Sequence, residues 1–291
     1  MPGTFSRGWV FVAAVLAALV FLLISAAFIY STVIKAVPQL GSVFSHAAAP
    51  MIVGTFQTSL IAIVFAVIVG LGTSLAIVFL LPERLKLITT TLVELLAAVP
   101  SIVYGVWGFL VLGPWMLATV DPFLNSLPLG SVVFGNSSGE FGASIFLGAF
   151  VLTVMILPTF VAISRSVIAG FPRDLVEAGL AVGMTRWEVI AKVVLPSLRS
   201  GLFGAGFLAL ARATGETVAV ALTAGGTSVV QSHLLYPGTT IAADIALQFG
   251  EANSIEISRL LALGALLLLI NFAFALLSRF LFNREQKMLV R

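Results

Sequence analysis

The stretch that decides the fold runs from Thr55 to Leu81, TFQTSLIAIVFAVIVGLGTSLAIVFLL, and carries no charged side chain. A helix needs about 20 apolar residues to cross the roughly 30 Å hydrocarbon core of a bilayer, and this run exceeds that length. Comparable runs cover approximately 9–29, 87–118, 143–163, 201–224 and 260–282. The pattern therefore predicts an all-α fold, a polytopic membrane helix bundle with six transmembrane helices.

The composition of the whole chain agrees with this prediction. Of 291 residues, 60% are hydrophobic and 9% are charged, and the mean hydropathy is +1.15. Soluble domains carry about 25% charged residues, so an ordinary globular enzyme is excluded. The absence of cysteine excludes disulfides and thiolate metal sites, and His46 and His233 are too far apart in sequence to indicate a metal site. A net charge of +3 is too small to indicate nucleic-acid binding.

The first and third apolar runs each differ from a simple membrane span. The first run exceeds the 7 to 15 apolar residues of a signal-peptide core, so we expect a retained membrane anchor. The third run is too long for one straight span and contains Pro100 and, near its end, Pro114. Because proline removes a backbone donor and clashes with the preceding turn, we expect a kink or break there.

The basic residues predict the orientation. Most of the 15 Lys and Arg side chains fall in the N-terminus, loop 82–86, loop 164–200 and the C-terminal tail, which a six-span topology places on one side. Positive charge accumulates in cytoplasmic loops, so both termini are predicted to be cytoplasmic. The polar segment 226–256 then lies outside and is expected to cap the bundle.

Loop 164–200 is predicted to contain a short cytoplasmic helix. Pro172 and Asp174 are typical of a helix start, and Gly183 of a helix end. A second helix is expected to follow and to reach the membrane at Pro196. A short helix on the cytoplasmic face is either a docking element for a soluble partner or an interfacial helix resting in the headgroups.

The spacing within this loop resembles the EAA loop of ABC-importer permeases, which reads E-A-A, three residues, G, nine residues, I-x-L-P. The matching positions are Glu177, Ala178, Gly179, Gly183, Val193, Leu195 and Pro196, with Gly179 in place of alanine and Val193 in place of isoleucine. In that family the loop docks into an ATP-hydrolysing subunit, and the resemblance implies the same coupling role here. The chain itself lacks the G-x-x-x-x-G-K-[ST] loop, so ATP and Mg are expected on a separate partner subunit and no cofactor in this chain.

Glu94, Arg212 and Glu216 are ionisable residues well inside apolar runs, away from the ends. A charge near the bilayer centre costs at least about 2.5 to 3.5 kcal/mol on insertion scales, so such residues usually face the bundle interior and serve a pathway. Arg212 and Glu216 are four residues apart, which predicts one helix face. Either they neutralise each other, or Arg212 offers its guanidinium fork to a passing oxyanion while Glu216 holds the arginine and limits the tightness of binding. The neutral donors predicted beside Arg212 are Thr214, Thr217 and Ser101.

Two segments, 94–108 (ELLAAVPSIVYGVWG) and 211–220 (ARATGETVAV), resemble the permeases of ABC-type phosphate importers, and their details resemble the PstC-type subunit. The likeness extends over about 55–280. It implies a PstA-type permease partner, two PstB-type ATP-binding subunits and an extracytoplasmic PstS-type phosphate-binding protein, in the cytoplasmic (inner) membrane of a prokaryote. On this basis 1–54 is expected to form an anchor helix with an external loop, and 55–291 the permease domain with its coupling loop 164–200.

Other functions remain open from the sequence. The same architecture serves importers of other oxyanions such as sulfate or molybdate. An intramembrane enzyme would use Glu94 or Ser137, the latter within a G-x-S-x-G match at 135–139 that lacks the strand before it. A gated channel would conduct without ATP and would not need a docking loop.

Overall fold

The structure, a computed structural model, describes residues 4–39, 41, 48–135 and 139–289. Within these ranges the chain is helical, and the sole β feature is an isolated bridge between Gly225 and Gly238. Six helical runs are long and apolar enough to cross a membrane. They are Trp9–Ala36, Ala49–Leu80, Ser101–Ser126, Glu140–Ala169, Arg186–Thr214 and Ser254–Asn283. The predicted all-α membrane bundle is therefore confirmed.

The principal helices are named in chain order. They are α1 (Thr4–Ala36), α2 (Ala49–Leu75), α3 (Glu83–Ala98), α4 (Ser101–Trp107), α5 (Ile145–Ala169), α6 (Arg173–Ala181), α7 (Leu195–Thr214), α8 (Val218–Thr223), α9 (Ile241–Gln248) and α10 (Ser254–Leu289). A π-helical segment, Ala76–Leu80, extends α2. Helical segments continue α4 as far as Ser126, and the run Arg186–Val194 leads into α7 without a gap.

The sequence-based bounds of the third and fifth spans were wrong. The third span does not begin near Leu87, because α3 ends at Ala98 and a separate helix starts at Ser101. The break occurs at Val99 and Pro100, as expected from the proline. Pro114 causes no break, since the helix continues through it with π-helical turns on both sides. The fifth span begins at Arg186 and ends at Thr214, well before residue 224.

The centre of the bundle is the pair α2 and α5. Gly70 of α2 packs on Phe160, where an added Cβ would lie 2.6 Å from the ring atom Cδ1. The buried hydroxyls of Ser74 and Ser164 are 2.6 Å apart and form a hydrogen bond between the two helices. Small residues let helices approach closely in a bilayer, and hydroxyl bonds add to that packing. These contacts make α2 and α5 the scaffold on which α7 is placed.

The helix α1 is attached differently. It packs mainly against α10, and few of its described side chains are buried; Thr32 and Ala36, near its end, are the exceptions. In a bilayer, exposed apolar side chains of this kind are in contact with lipid or with another membrane chain. The core of the bundle therefore forms without α1.

The segment after α8 closes one end of α5. The backbone N–H groups of Ser144, Ile145 and Phe146 donate to carbonyl oxygens of Thr223, Tyr236 and Leu234, at 3.0, 3.1 and 2.9 Å. The first N–H groups of a helix have no partner within it, so these bonds fix the segment across the end of the bundle. This agrees with the expectation that the polar segment 226–256 caps the bundle.

Candidate functional site

The fifth span ends two residues after Arg212. Helix α7 ends at Thr214, Gly215 follows as its C-cap, and the N–H of Glu216 donates to the carbonyl of Ala213 at 3.2 Å. The next helix, α8, begins at Val218. The prediction that Arg212 and Glu216 share a helix face was wrong, because that spacing holds only within a continuous helix.

Arg212 has no carboxylate partner in the described part of the chain. The ion pairs found there are Lys86–Glu83 and Lys192–Glu188, and neither involves Arg212 or Glu216. The arginine is exposed in the single chain, while its neighbour Ala213 is buried against residues of α5. The structure therefore gives no support to mutual neutralisation of Arg212 and Glu216.

The depth of Arg212 follows from the packing of Ala213. This alanine belongs to a buried cluster with Leu152 and Ile156, and Ile156 lies about halfway along the 25-residue α5. Arg212 is consequently near the middle of the bundle. Backbone that leaves helical form at this depth must be buried or line a water-filled cavity, since lipid offers no hydrogen bonds.

The threonines at the break hold it in place. The single hydroxyl hydrogen of Thr214 is shared between two acceptors, the carbonyl oxygen of Ala211 at 3.0 Å and the side-chain oxygen of Asn271 on α10. Thr217 donates to the carbonyl oxygen of Gly215 at 3.2 Å. Asn271 was not identified from the sequence; the available signal was a single amide inside the apolar run of α10.

The second break carries Ser101. The chain is extended at Val99 and Pro100, and the hydroxyl of Tyr104 donates to the carbonyl of Leu96 at 2.8 Å across the break. Ser101 is the first residue of α4 and is half-buried. Like the break after α7, this one leaves backbone groups outside a helix at one end of a membrane-spanning run.

The structure brings the two breaks together through α4 and α8. An added Cβ at Gly105 would lie 3.0 Å from the Cα of Ala219, and one at Gly108 would lie 2.9 Å from Cγ2 of Thr223. These pairs show that α4 and α8 run side by side in the same direction. The starts of the two helices, Ser101 and Val218, therefore face the same end of the bundle. Glycine is required at both contacts because any side chain would separate the helices.

Glu94 is placed apart from this arrangement. It is exposed on α3, a helix with no fully buried residue, and α3 is joined to α5 where Arg165 donates to the hydroxyl of Thr90 at 2.9 Å. Arg165 lies near the C-terminal end of α5, whereas Arg212 lies at the level of its middle. Glu94 is thus closer to the end of the bundle that carries α6.

Loop 164–200, the predicted coupling segment, contains the expected short helix, which is α6. Its N-cap is Pro172, and it ends before Gly183, which has a φ of +90° and donates its N–H to the carbonyl of Leu180 at 3.0 Å. Left-handed backbone of this kind is the usual glycine-dependent helix end. Thr185 and Glu188 then form a reciprocal capping box that starts the next helix. Pro196 lies in the first turn of α7.

The surface of this segment is apolar and exposed. Val182 and Trp187 are 79% and 61% exposed, and the side chains of Glu177 and Ala178 also face outward. Gly179, by contrast, is buried, and an added Cβ there would lie 2.9 Å from Cγ2 of Val189. A patch of exposed apolar side chains with a polar rim is typical of a protein-binding surface.

Outside the spans, Asp244 on α9 is buried. Its Oδ1 accepts a hydrogen bond from the amide of Gln248 at 2.7 Å, whereas Oδ2 has no hydrogen-bond partner within the described residues. Burial raises the pKa of this carboxyl, and the bond from Gln248 and the charge of Arg259 oppose that rise.

No group of three potential metal-ligating side chains occurs in the described ranges, which omit His46. Ser137 also lies outside the described residues.

The model of the family described as "Binding-protein-dependent transport system inner membrane component" matches residues 62–287. The chain belongs to this family. It is therefore a multi-pass inner-membrane permease subunit rather than an enzyme in its own right. The matched range includes both helix breaks and the coupling segment, and excludes α1.

Individual relatives extend this result. The chain is 40% identical over 243 residues to the phosphate transport system permease protein PstC of Xylella fastidiosa (strain Temecula1), covering 82% of this chain and 74% of that protein. It is 38% identical over 247 residues to the PstC protein of Pasteurella multocida (strain Pm70), covering 84% and 77%. A solved structure of the MetNI methionine ABC transporter contains a chain with a TM-score of 0.52 and 22% identity, covering 78% of this chain and 93% of that one. The last similarity shows a shared fold.

Proposed function

We propose that this permease subunit moves inorganic phosphate across the cytoplasmic membrane in an ATP-driven importer. The proposal rests on one observation: Arg212 lies at mid-bundle depth beside a helix break and has no carboxylate partner among the described residues. A guanidinium offers paired donors that match phosphate geometry, and it keeps its charge at any physiological pH. The names of the PstC relatives support phosphate as the anion.

The pathway lies at the surface of this chain, against a second permease of PstA type. Arg212 is exposed in the single chain, and lipid contact would cost it at least about 2.5 to 3.5 kcal/mol on insertion scales. A partner subunit and a water-filled path between the two chains remove that cost. Ser101, Thr214 and Thr217 place hydroxyls at the two breaks, and Glu216 limits how tightly the anion binds. Glu94 lies further along the path, towards the end of the bundle that carries α6.

ATP hydrolysis takes place on two separate PstB-type subunits, which bind ATP and Mg. They dock on the coupling segment, with Glu177, Ala178 and Gly183 at the surface and Leu195 and Pro196 at the start of α7. The exposed apolar patch around Val182 and Trp187 supports this docking. A PstS-type binding protein delivers phosphate at the opposite face, where 226–256 caps the bundle.

The division of the chain follows from the same proposal. Residues 1–54 comprise the anchor helix, an external loop and the first residues of α2, which begins at Ala49. Residues 55–291 form the permease domain, of which 164–200 is the cytoplasmic coupling loop. Both termini are cytoplasmic, because most basic residues then lie on the cytoplasmic side.

Uptake of radiolabelled phosphate into vesicles tests the proposal. Vesicles carrying the chain and its co-purifying subunits should take up phosphate with ATP, and Arg212→Ala should abolish uptake while the complex still assembles. Arg84→Ala, which removes an exposed arginine at the start of α3, is the matched control. Normal uptake by Arg212→Ala would refute the role of Arg212.

The same vesicles separate the alternative functions. Sulfate or molybdate that outcompetes phosphate would assign the chain to another oxyanion. Conductance without ATP would indicate a gated channel. Substrate turnover by the purified single chain, without ATP or partners, would indicate an intramembrane enzyme.

A further inference from the structure

An apolar groove runs along the membrane-facing side of the bundle between α2 and α7, with a cavity volume of about 540 Å³. The residues that define it are Ile63 and Leu71 on α2, and Leu195, Arg199, Phe203 and Leu210 on α7. Arg199 is the only charged residue in the lining. The groove is separate from the breaks and from the exposed apolar patch of the coupling segment.

The dimensions of the groove suit a lipid acyl chain. Its floor is closed by a buried cluster that includes Phe160, Ala205 and Ala209. Along α7 it extends from Leu195 to Leu210, which is about 22 Å at the helical rise. One leaflet of the hydrocarbon core is about 15 Å thick, so a chain that enters from the cytoplasmic surface fits within the groove.

Arg199 supplies the charge that selects the headgroup. It lies in the second turn of α7, at the end of the bundle that carries α6, and its side chain is exposed. No hydrogen bond or ion pair occupies its guanidinium within the described residues. Basic side chains between spans on the cytoplasmic side bind anionic headgroups, and a guanidinium matches a phosphodiester by paired donors.

We infer that this groove binds one anionic phospholipid, with an acyl chain between α2 and α7 and its phosphate at Arg199. The ligand is a lipid of the cytoplasmic leaflet and not the transported anion, because the groove below Arg199 is apolar throughout its remaining lining. The lipid fixes α7 against α2 from the membrane side, next to the contacts of α7 with α10, since Phe207 lines the groove and also contacts Phe274 of α10.

Two substitutions test this site separately. Arg199→Gln removes the headgroup partner, and Arg84→Gln is its control at an exposed arginine outside the groove. Gly206→Leu fills the groove, because no atom lies within 4 Å of an added Cβ at Gly206. Gly72→Leu is its control, since Gly72 is equally open, is helical, and is absent from the lining.

Native mass spectrometry of the assembled complex, titrated with phosphatidylglycerol or phosphatidylcholine, gives the readout. We expect wild type to bind one phosphatidylglycerol more tightly than phosphatidylcholine. Arg199→Gln should lower the affinity for phosphatidylglycerol about fivefold, to that for phosphatidylcholine, because one basic side chain contributes about 1 kcal/mol to anionic-lipid binding. Gly206→Leu should abolish binding of both lipids, and both controls should bind as wild type.

Three results would overturn the assignment. Wild-type lipid binding by both groove variants would show that the lipid lies elsewhere. Loss of the second permease chain from the Gly206→Leu complex, with Gly72→Leu intact, would show that the groove holds a protein segment. Displacement of phosphatidylglycerol by inorganic phosphate would show that Arg199 binds the free anion.

Discussion

The hydroxyl of Thr214 donates a hydrogen bond to the side-chain oxygen of Asn271, and so joins the last residue of α7 to the middle of α10. The bond lies two residues from Arg212. Asn271 is half-buried within a membrane-spanning helix, where an amide is costly unless it is paired, so this contact helps to position the break. It also connects the proposed anion path to a helix that supplies no charge to it.

The first prediction concerns this bond. Thr214→Val should lower the free energy of unfolding by about 1 kcal/mol, in line with hydrogen bonds between membrane helices, and slow phosphate uptake. Thr214→Ser keeps the donor and should retain both properties. Thr73→Val, at an exposed threonine bonded only within α2, is the matched control. Thermal unfolding and uptake are measured on the same preparations, and equal behaviour of Thr214→Val and Thr73→Val would contradict the prediction.

The second prediction separates charge from geometry at Arg212. Arg212→Lys keeps the positive charge but loses the paired donors, so phosphate transport should fall about tenfold or more. The measurement is the initial rate of ATP-dependent uptake at saturating phosphate. Full activity in the lysine variant would reduce Arg212 to a generic positive charge.

The third prediction uses the left-handed backbone at Gly183. Because nothing lies within 4 Å of an added Cβ, a substitution there meets only backbone strain. Gly183→Val should cost about 1 to 2 kcal/mol and uncouple ATP hydrolysis from transport or weaken binding of the ATPase. Gly183→Asn tolerates this conformation better and should remain close to wild type. ATPase activity per phosphate transported is the readout; tight coupling in the valine variant would argue against a docking role.

The fourth prediction concerns Gly179, which stands where the EAA signature has its second alanine. Gly179→Ala should destabilise α6 by about 1 to 3 kcal/mol, because the new Cβ would be 2.9 Å from Cγ2 of Val189. The double variant Gly179→Ala with Val189→Ala removes that clash and should recover coupled ATPase activity. Wild-type stability of the single variant would show that this contact does not limit the position of α6. Equal coupled ATPase activity of the double and single variants would show the same.

The fifth prediction follows from the raised pKa of Asp244. The folded state holds this proton more tightly than the unfolded state, so protonation of Asp244 stabilises the fold. This contribution is fully present below the unfolded pKa of about 3.9 and is lost as pH rises through the raised folded pKa. Asp244→Asn does not titrate and can still accept from Gln248. Its thermal midpoint should exceed that of wild type by more at about pH 7.5 than at about pH 5. An equal gain at both pH values would contradict the assignment.

Hydropathy predicted the number of spans because each apolar run is long enough on its own. It misplaced the bounds of the third and fifth spans because mean hydropathy does not indicate where a helix ends. Pro100 identified the first break, whereas the break at Gly215 has no proline and depends on the contacts of Thr214 with α10. Arg212 was identified by its charge alone, and Asn271 was missed because the importance of an amide in an apolar helix depends on what it faces.

The helix that ends beside Arg212 begins at the coupling segment. From Arg186 to Thr214 it is one helical run of 29 residues, about 40 Å long. With the proposed docking of the ATPase, this run acts as a lever: a rotation imposed near Trp187 passes the π-helical turns at Ile190–Val194 and arrives at Arg212 as a displacement. The helix is interrupted immediately afterwards, at Gly215, so a displacement of its end is not transmitted along a continuous helix to α8 and the external cap.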